Sequence, residues 1–146
     1  MFSPSKPHIQ WPNGLTIDHL ANRVYWVDAQ RDLIASCDLD GTPASLKTVL
    51  KRVNQLVHPF GVAIHKDFMY WDDWNNKAIF MANKNNGKGI TKVRGDMNGA
   101  MDLKIFSTLH RDGASNACSK NPCSHLCVGM PKEGHACMCP DGEVSV

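Results

Sequence analysis

Apolar residues in the first hundred positions come in short runs, not at the three-and-four spacing of an amphipathic helix. The runs are 12–18 (PNGLTID), 24–28 (VYWVD), 33–41 (LIASCDLDG) and 46–50 (LKTVL). They recur at 59–65 (PFGVAIH), 69–73 (MYWDD), 78–87 (AIFMANKNNG) and 90–94 (ITKVR). The pattern is an internal repeat with a period of roughly 45 residues, in the range of propeller blades. Each unit reads as four short strands rich in Val, Ile, Leu, Tyr and Trp, separated by turn residues. Asp40-Gly41 and Asn86-Gly87 are turn dipeptides that tolerate positive φ.

Side chains alternate along a strand. In the second strand Tyr25 and Val27 face one way while Val24, Trp26 and Asp28 face the other. The copy sets Tyr70 and Asp72 against Met69, Trp71 and Asp73. A strand that is apolar on both sides fits a stack of sheets, as in a β-propeller. The Tyr-Trp pair is therefore expected to form core between blades. The acids Asp28 and Asp73 recur with the repeat, which assigns them to holding a turn by hydrogen bonds to backbone.

These residues resemble the six-bladed YWTD propellers of the low-density lipoprotein receptor family. The likeness rests on Tyr-Trp-x-Asp, on Pro-Asn-Gly-Leu-Thr-Ile-Asp at 12–18 and on Asp-Leu-Asp-Gly at 38–41. The motif threonine is Val27 in one copy and Asp72 in the other. MDLKIFS at 101–107 is similar to that family's ring-closing strand, after which the family places an epidermal-growth-factor (EGF)-like module. The expected fold is all-β: a partial six-bladed YWTD propeller, two full blades plus a closing strand, over 1–113. A truncated EGF-like module follows over 114–146.

Composition changes this picture little. Of 146 residues, 42% are hydrophobic and 21% charged, which is ordinary for a folded chain. Net charge is +2, and no basic run is longer than Lys51-Arg52, so nucleic acid is not an expected partner. No apolar run reaches the length of a membrane span, and MFSPSKPHIQ lacks the apolar core of a signal peptide. No Asn-x-Ser/Thr sequon occurs.

Cysteines change it more. Five of six lie between Cys118 and Cys139, which reads as a disulfide scaffold or a metal site in an oxidising compartment. Zinc is the rival reading, with His125, His135 and cysteines as ligands, but two clean C-x2-C pairs are lacking. The spacing Cys118-x4-Cys123-x3-Cys127-x9-Cys137-x-Cys139, with Pro-Asp-Gly after it, resembles EGF-like modules. That resemblance implies Cys118 paired with Cys127 and Cys123 with Cys137, leaving Cys139 without a partner in this chain. Calcium-binding modules of that type carry acids just before the first cysteine. Here Ala114-Ser115-Asn116-Ala117 stands there, so no calcium site is expected in this module, and with zinc set aside on spacing no metal or other cofactor is expected. Cys37 lies within a strand and is expected to be a small buried hydrophobe.

One end of the blades gathers loops 28–33, 52–60, 73–77 and 96–101. It carries the candidate ligand-binding residues Trp11, Arg31, His58, Trp74 and Asn76, since Trp and Arg commonly anchor interfaces. Phe60 is expected to pack beneath its own loop. His58 is the one histidine on that end, and its ordinary pKa suits a pH-dependent contact. Catalysis is not expected: the acids follow the structural repeat, and no nucleophile elbow, phosphate loop or metalloprotease motif occurs.

The resemblance implies a non-enzymatic extracellular piece of an endocytic or signalling receptor. Its partners would be a protein or lipoprotein ligand and other modules of the same receptor. It would lie on the extracellular side of the plasma membrane and in endosomes, held to the membrane by a segment absent from this chain. The alternative is a nidogen-like matrix protein or growth-factor precursor with the same pairing of modules.

Overall fold

The computed structural model describes residues 9–107, 117–120, 122–130 and 134–138. The expected boundary at 113/114, Cys139 and most of 114–117 lie outside them. Chain contacts divide it into two compact units, Met1–Phe106 and Ser107–Val146.

The first unit holds two four-stranded antiparallel sheets of identical design. One runs β1 (Pro12–Asp18), β2 (Arg23–Asp28), β3 (Leu33–Asp38), β4 (Lys47–Lys51), with a short 3-10 turn at Pro43–Ser45. The other runs β5 (Pro59–His65), β6 (Phe68–Asp73), β7 (Ala78–Asn83), β8 (Thr91–Arg94). The strands pair in chain order, so each sheet is a meander. Even the irregularities repeat. The register shifts after Pro12 and again after Pro59, and between Ile34 and Ala35 as between Ile79 and Phe80. A bulge bends a strand and increases its twist, so matched bulges give two sheets of matched curvature. Gly41 and Gly87 sit at φ 72° and 68°, in the turns where positive φ is expected.

Tyr25, Val27 and Ile34 from one sheet meet Met69, Trp71, Phe80 and Ala82 from the other in one buried cluster. Trp71 stacks on Phe80 with ring centroids 5.7 Å apart, and its indole N–H donates to Gln55 O at 2.8 Å. The opposite face of β2 carries Trp26 into a second cluster with Leu33, Ala35 and Cys37. Thus the indole of one sheet turns toward the tyrosine face of its neighbour. Tyr25 and Trp71 are thus core between the sheets, as alternation predicts, while Trp26 is buried against its own sheet and Tyr70 is half-buried. Each large side chain buried here contributes about 1.5–3 kcal/mol.

At the inner strands the sheets touch backbone to backbone. A Cβ on Gly14 would strike Phe60 O and come within 3.0 Å of Gly61 Cα, so only glycine allows this approach. At the far end of the seam Lys84 Nζ meets Asp18 Oδ2 at 2.5 Å, with both side chains buried.

Residues 101–107, expected as a closing strand, pair with no strand among the described residues. The backbone is nonetheless laid against β5. A Cβ on Gly61 would come within 2.9 Å of Asp102 Cα, much as one on Gly14 would approach Gly61. The segment therefore takes the place of a next inner strand but has no described strand beside it to complete a ladder.

In the second unit β9 (Leu126–Met130) and β10 (Gly134–Met138) form an antiparallel hairpin. Disulfides join Cys118 to Cys127 and Cys123 to Cys137. So small a sheet has little core, and cross-links supply what burial cannot. Cys37 is a free thiol buried in the first unit, and burial pushes its pKa up.

Candidate functional site

The carboxylates that close β2 and β6 build the loop end. Asp73 Oδ2 accepts from the backbone N–H groups of Val57 at 2.7 Å and His58 at 2.8 Å, and Oδ1 accepts from Asn76 N at 2.9 Å. Asp28 does the same one sheet earlier. It takes Gln10 N at 2.5 Å, Trp11 N at 3.2 Å and Arg31 N at 3.1 Å. A carboxylate has acceptor capacity for several donors at once, which a neutral side chain of this size lacks. One acid thus ties the chain arriving at the sheet to the turn beyond its second strand.

These contacts make Trp11 the structural counterpart of His58, and Arg31 that of Asn76. Ala29 N donates to Trp11 O at 3.1 Å, and Trp74 N donates to His58 O at 3.0 Å. Trp74 therefore stands where the first sheet has alanine. The second sheet holds an aromatic group that the first does not.

That group has three members. Trp74 stacks with Phe60, ring centroids 5.4 Å apart, and with His58, at 6.0 Å, and both rings are nearly parallel to the indole. The Trp74 indole N–H donates to Ala100 O at 2.6 Å. Its polar edge is thus occupied and the ring is fixed, while the residue stays 40% exposed. Asn76 Nδ2 donates to Asn54 O at 3.0 Å and to Asp73 Oδ1 at 3.0 Å, so its amide braces the loop. Half-buried Asp32 lies nearby, its carboxyl pushed up mainly by burial and held down by the Arg52 and His58 charges.

Of the five candidates, the structure brings His58, Trp74 and Asn76 together on the second sheet. Trp11, 57% exposed, and Arg31 occupy matching places on the first sheet, with no side-chain bond or ring contact to Trp74. Phe60, expected to be packing, is one of the three rings of the stack. Its signal in the sequence was the substitution of Phe60 for Asn13 at the same repeat position.

Asp72 is the acid that breaks the repeat. Its counterpart Val27 is core, and Asp72 is equally buried. Oδ1 accepts from Gly61 N at 2.6 Å, while Oδ2 has no partner among the described residues. Burial raises its pKa, opposed by the Gly61 hydrogen bond and aided by the Asp102 and Asp73 charges. A raised folded-state pKa means that the folded protein holds the proton more tightly than the unfolded chain does. Stability from this group is therefore full at acid pH and lost as pH rises through the raised value. Asp72→Asn is expected to raise the thermal midpoint at neutral pH by a few degrees and to flatten this part of the pH profile. Thermal melts of both proteins across pH test it, and an asparagine variant that melts lower at neutral pH refutes it.

In the second unit Cys123, His135 and Cys137 lie within 4.8 Å of one another. The two cysteines share a disulfide, so they offer no thiolate for a metal.

Comparison with known proteins places this geometry. Residues 22–66 match the low-density lipoprotein receptor repeat class B. That span runs from before β2 to the end of β5, so one sequence repeat covers three strands of one sheet and the first of the next. The chain is 38% identical over 137 residues to sortilin-related receptor from Oryctolagus cuniculus, covering 94% of this chain and 6% of that receptor. It is 36% identical over 137 residues to vitellogenin receptor Yl of Drosophila melanogaster, covering 92% and 7%. Among solved structures, a chain of a nidogen/laminin complex superposes with a TM-score of 0.53 at 26% identity. That match covers 62% of this chain and 34% of the other. The chain thus spans only a small part, 6–7%, of the curated relatives it matches.

Proposed function

We propose, from a chain that carries a low-density lipoprotein receptor class B repeat and is homologous to receptors, that it is a non-enzymatic extracellular part of an endocytic or signalling receptor. It binds a protein or lipoprotein ligand through the loop end of the propeller. The observation that carries this reading is the Phe60–Trp74–His58 stack. A rigid, partly exposed indole held from beneath loses little side-chain entropy on binding, which is the property of an interface anchor. Disulfides in the second unit support an oxidising, extracellular setting.

Flowing purified low-density lipoprotein and, separately, purified vitellogenin over the immobilised chain tests the reading. Trp74→Ala is expected to weaken capture by about 2 kcal/mol or more, a loss of roughly thirtyfold, without altering the circular dichroism. Capture unchanged in Trp74→Ala overturns the loop-end site.

A second reading, adhesion to matrix, is favoured by the likeness to a chain from a nidogen/laminin complex. Laminin retained by the same surface, with neither lipoprotein retained, selects it.

A further inference from the structure

The net charge of +2 hides a separation of charge. Residues 41–95 carry nine Lys and Arg against three Asp, and the rest of the chain carries seven against eleven. Two of those three acids, Asp72 and Asp73, are buried. The fold then sorts the cations by strand. β4 and β8 are the last strands of their sheets, each with one edge unpaired. They and the residues beside them supply Lys47, Lys51, Arg52, Lys88, Lys92 and Arg94, all exposed.

The opposite edge strands, β1 and β5, contain no Lys or Arg. Edge lysines commonly discourage strand addition. The inner strands β1 and β5 instead each open on a proline followed by a bulge, which guard an edge without charge.

The outer strand β4 meets the neighbouring β7–β8 turn across the seam. Lys47 Nζ donates to Asn85 O in the β7–β8 turn, and a Cβ on Gly87 would come within 3.1 Å of Leu50 Cδ1. Register puts Leu50 opposite Ile34 and Arg94 opposite Ile79, so Arg94 stands at the level of Leu50, one residue from that of Lys51. No carboxylate lies within ion-pair distance of Lys51, Lys88, Lys92 or Arg94 among the described residues. Asp96 borders the row beyond Arg94, and half-buried Asp32 sits beside Arg52.

We propose that this outer rim of β4, the β7–β8 turn and β8 binds a linear sulfated polysaccharide lying across the blades. A flexible polyanion can follow a row of cations spread over two strands. Duplex nucleic acid offers its grooves to a helix or ribbon, and neither projects from this edge. The disulfide-bonded second unit places the chain where sulfated polysaccharides, not nucleic acids, are the abundant polyanions. The rim is formed by other residues than the aromatic stack, so either site stands without the other.

The test applies the full chain to immobilised heparin in a salt gradient. Wild type is compared with a rim triple, Lys88→Gln, Lys92→Gln and Arg94→Gln. A control triple, Lys66→Gln, Lys77→Gln and Lys120→Gln, makes the same change in net charge at other exposed positions. The rim triple is expected to bind about tenfold more weakly, with its log-affinity slope against log salt shallower by about 2, as for three lost charge contacts. The control triple is expected to elute with wild type. All three must share one circular dichroism spectrum, which neutral changes at exposed sites allow. Equal losses in both triples reduce the effect to net charge and overturn the proposal, as does wild type failing to bind heparin. Preferential binding of duplex DNA or of anionic phosphatidylserine vesicles overturns it too.

Discussion

Lys84→Ala is expected to destabilise the two-sheet unit by about 3–5 kcal/mol, among the largest effects of any single substitution. The ammonium meets Asp18 across 66 positions of sequence, with only 8% and 3% of the two side chains exposed. Asp18 is committed where it stands, because Oδ1 accepts from Leu20 N and Ala21 N, both at 3.1 Å. Removing the lysine leaves a buried carboxylate with no countercharge, and the cost is that of stranding it, not the net worth of the pair. The double change Lys84→Met with Asp18→Asn is therefore expected to recover most of the loss, since it removes both charges. Urea denaturation of the three proteins measures this. A single-variant loss under about 1 kcal/mol would show that water reaches the pair.

Asp73→Ala is expected to cost about 3 kcal/mol or more, because three backbone N–H groups lose a charged acceptor at once. The damage is local before it is global. Amide exchange at Val57, His58 and Asn76 should accelerate well before exchange in β6 and β7. His58 is carried by one of those bonds, so the ring stack loses its footing as well. Asp73→Asn keeps one acceptor oxygen but turns an NH2 donor toward the remaining N–H groups, so it is expected to recover only part of the loss. Alanine exchanging no faster at these three amides would move the anchoring role elsewhere.

Much of this was visible in the chain before folding. The repeat set the strands, and alternation along VYWVD and MYWDD set which side chains share a face. A period-two pattern leaves few alternative registers when both faces are buried. The recurring acids were recognisable as turn-holders because they kept step with the repeat. The expected strand at 101–107 did not form a ladder. Its sequence is apolar enough, but strand pairing needs a partner that local pattern does not supply.

The site was only half legible. Topology alone placed Trp11, Arg31, His58, Trp74 and Asn76 at one end of the sheets, where the structure has them. Their grouping was not, because the sheet twist and the Asp28 and Asp73 anchors decide which loops meet. Phe60 joined the stack only through the Pro59 bulge and the approach of Trp74. The same is true of the cations. A linear count near neutrality gave no sign of a basic rim, since acids elsewhere in the chain cancelled it on paper.

Local sequence therefore determined what each strand is and which way its side chains point, for these follow from backbone geometry and short-range pattern. Tertiary structure decided the rest: the Lys84–Asp18 bridge and the charged rim through the packing of one sheet on the next, and the Asp72 oxygen left without a described partner and the aromatic stack through the pairing of strands and loops within the second sheet. Each joins residues of different elements, and no pattern within a single strand encodes the distance between two elements.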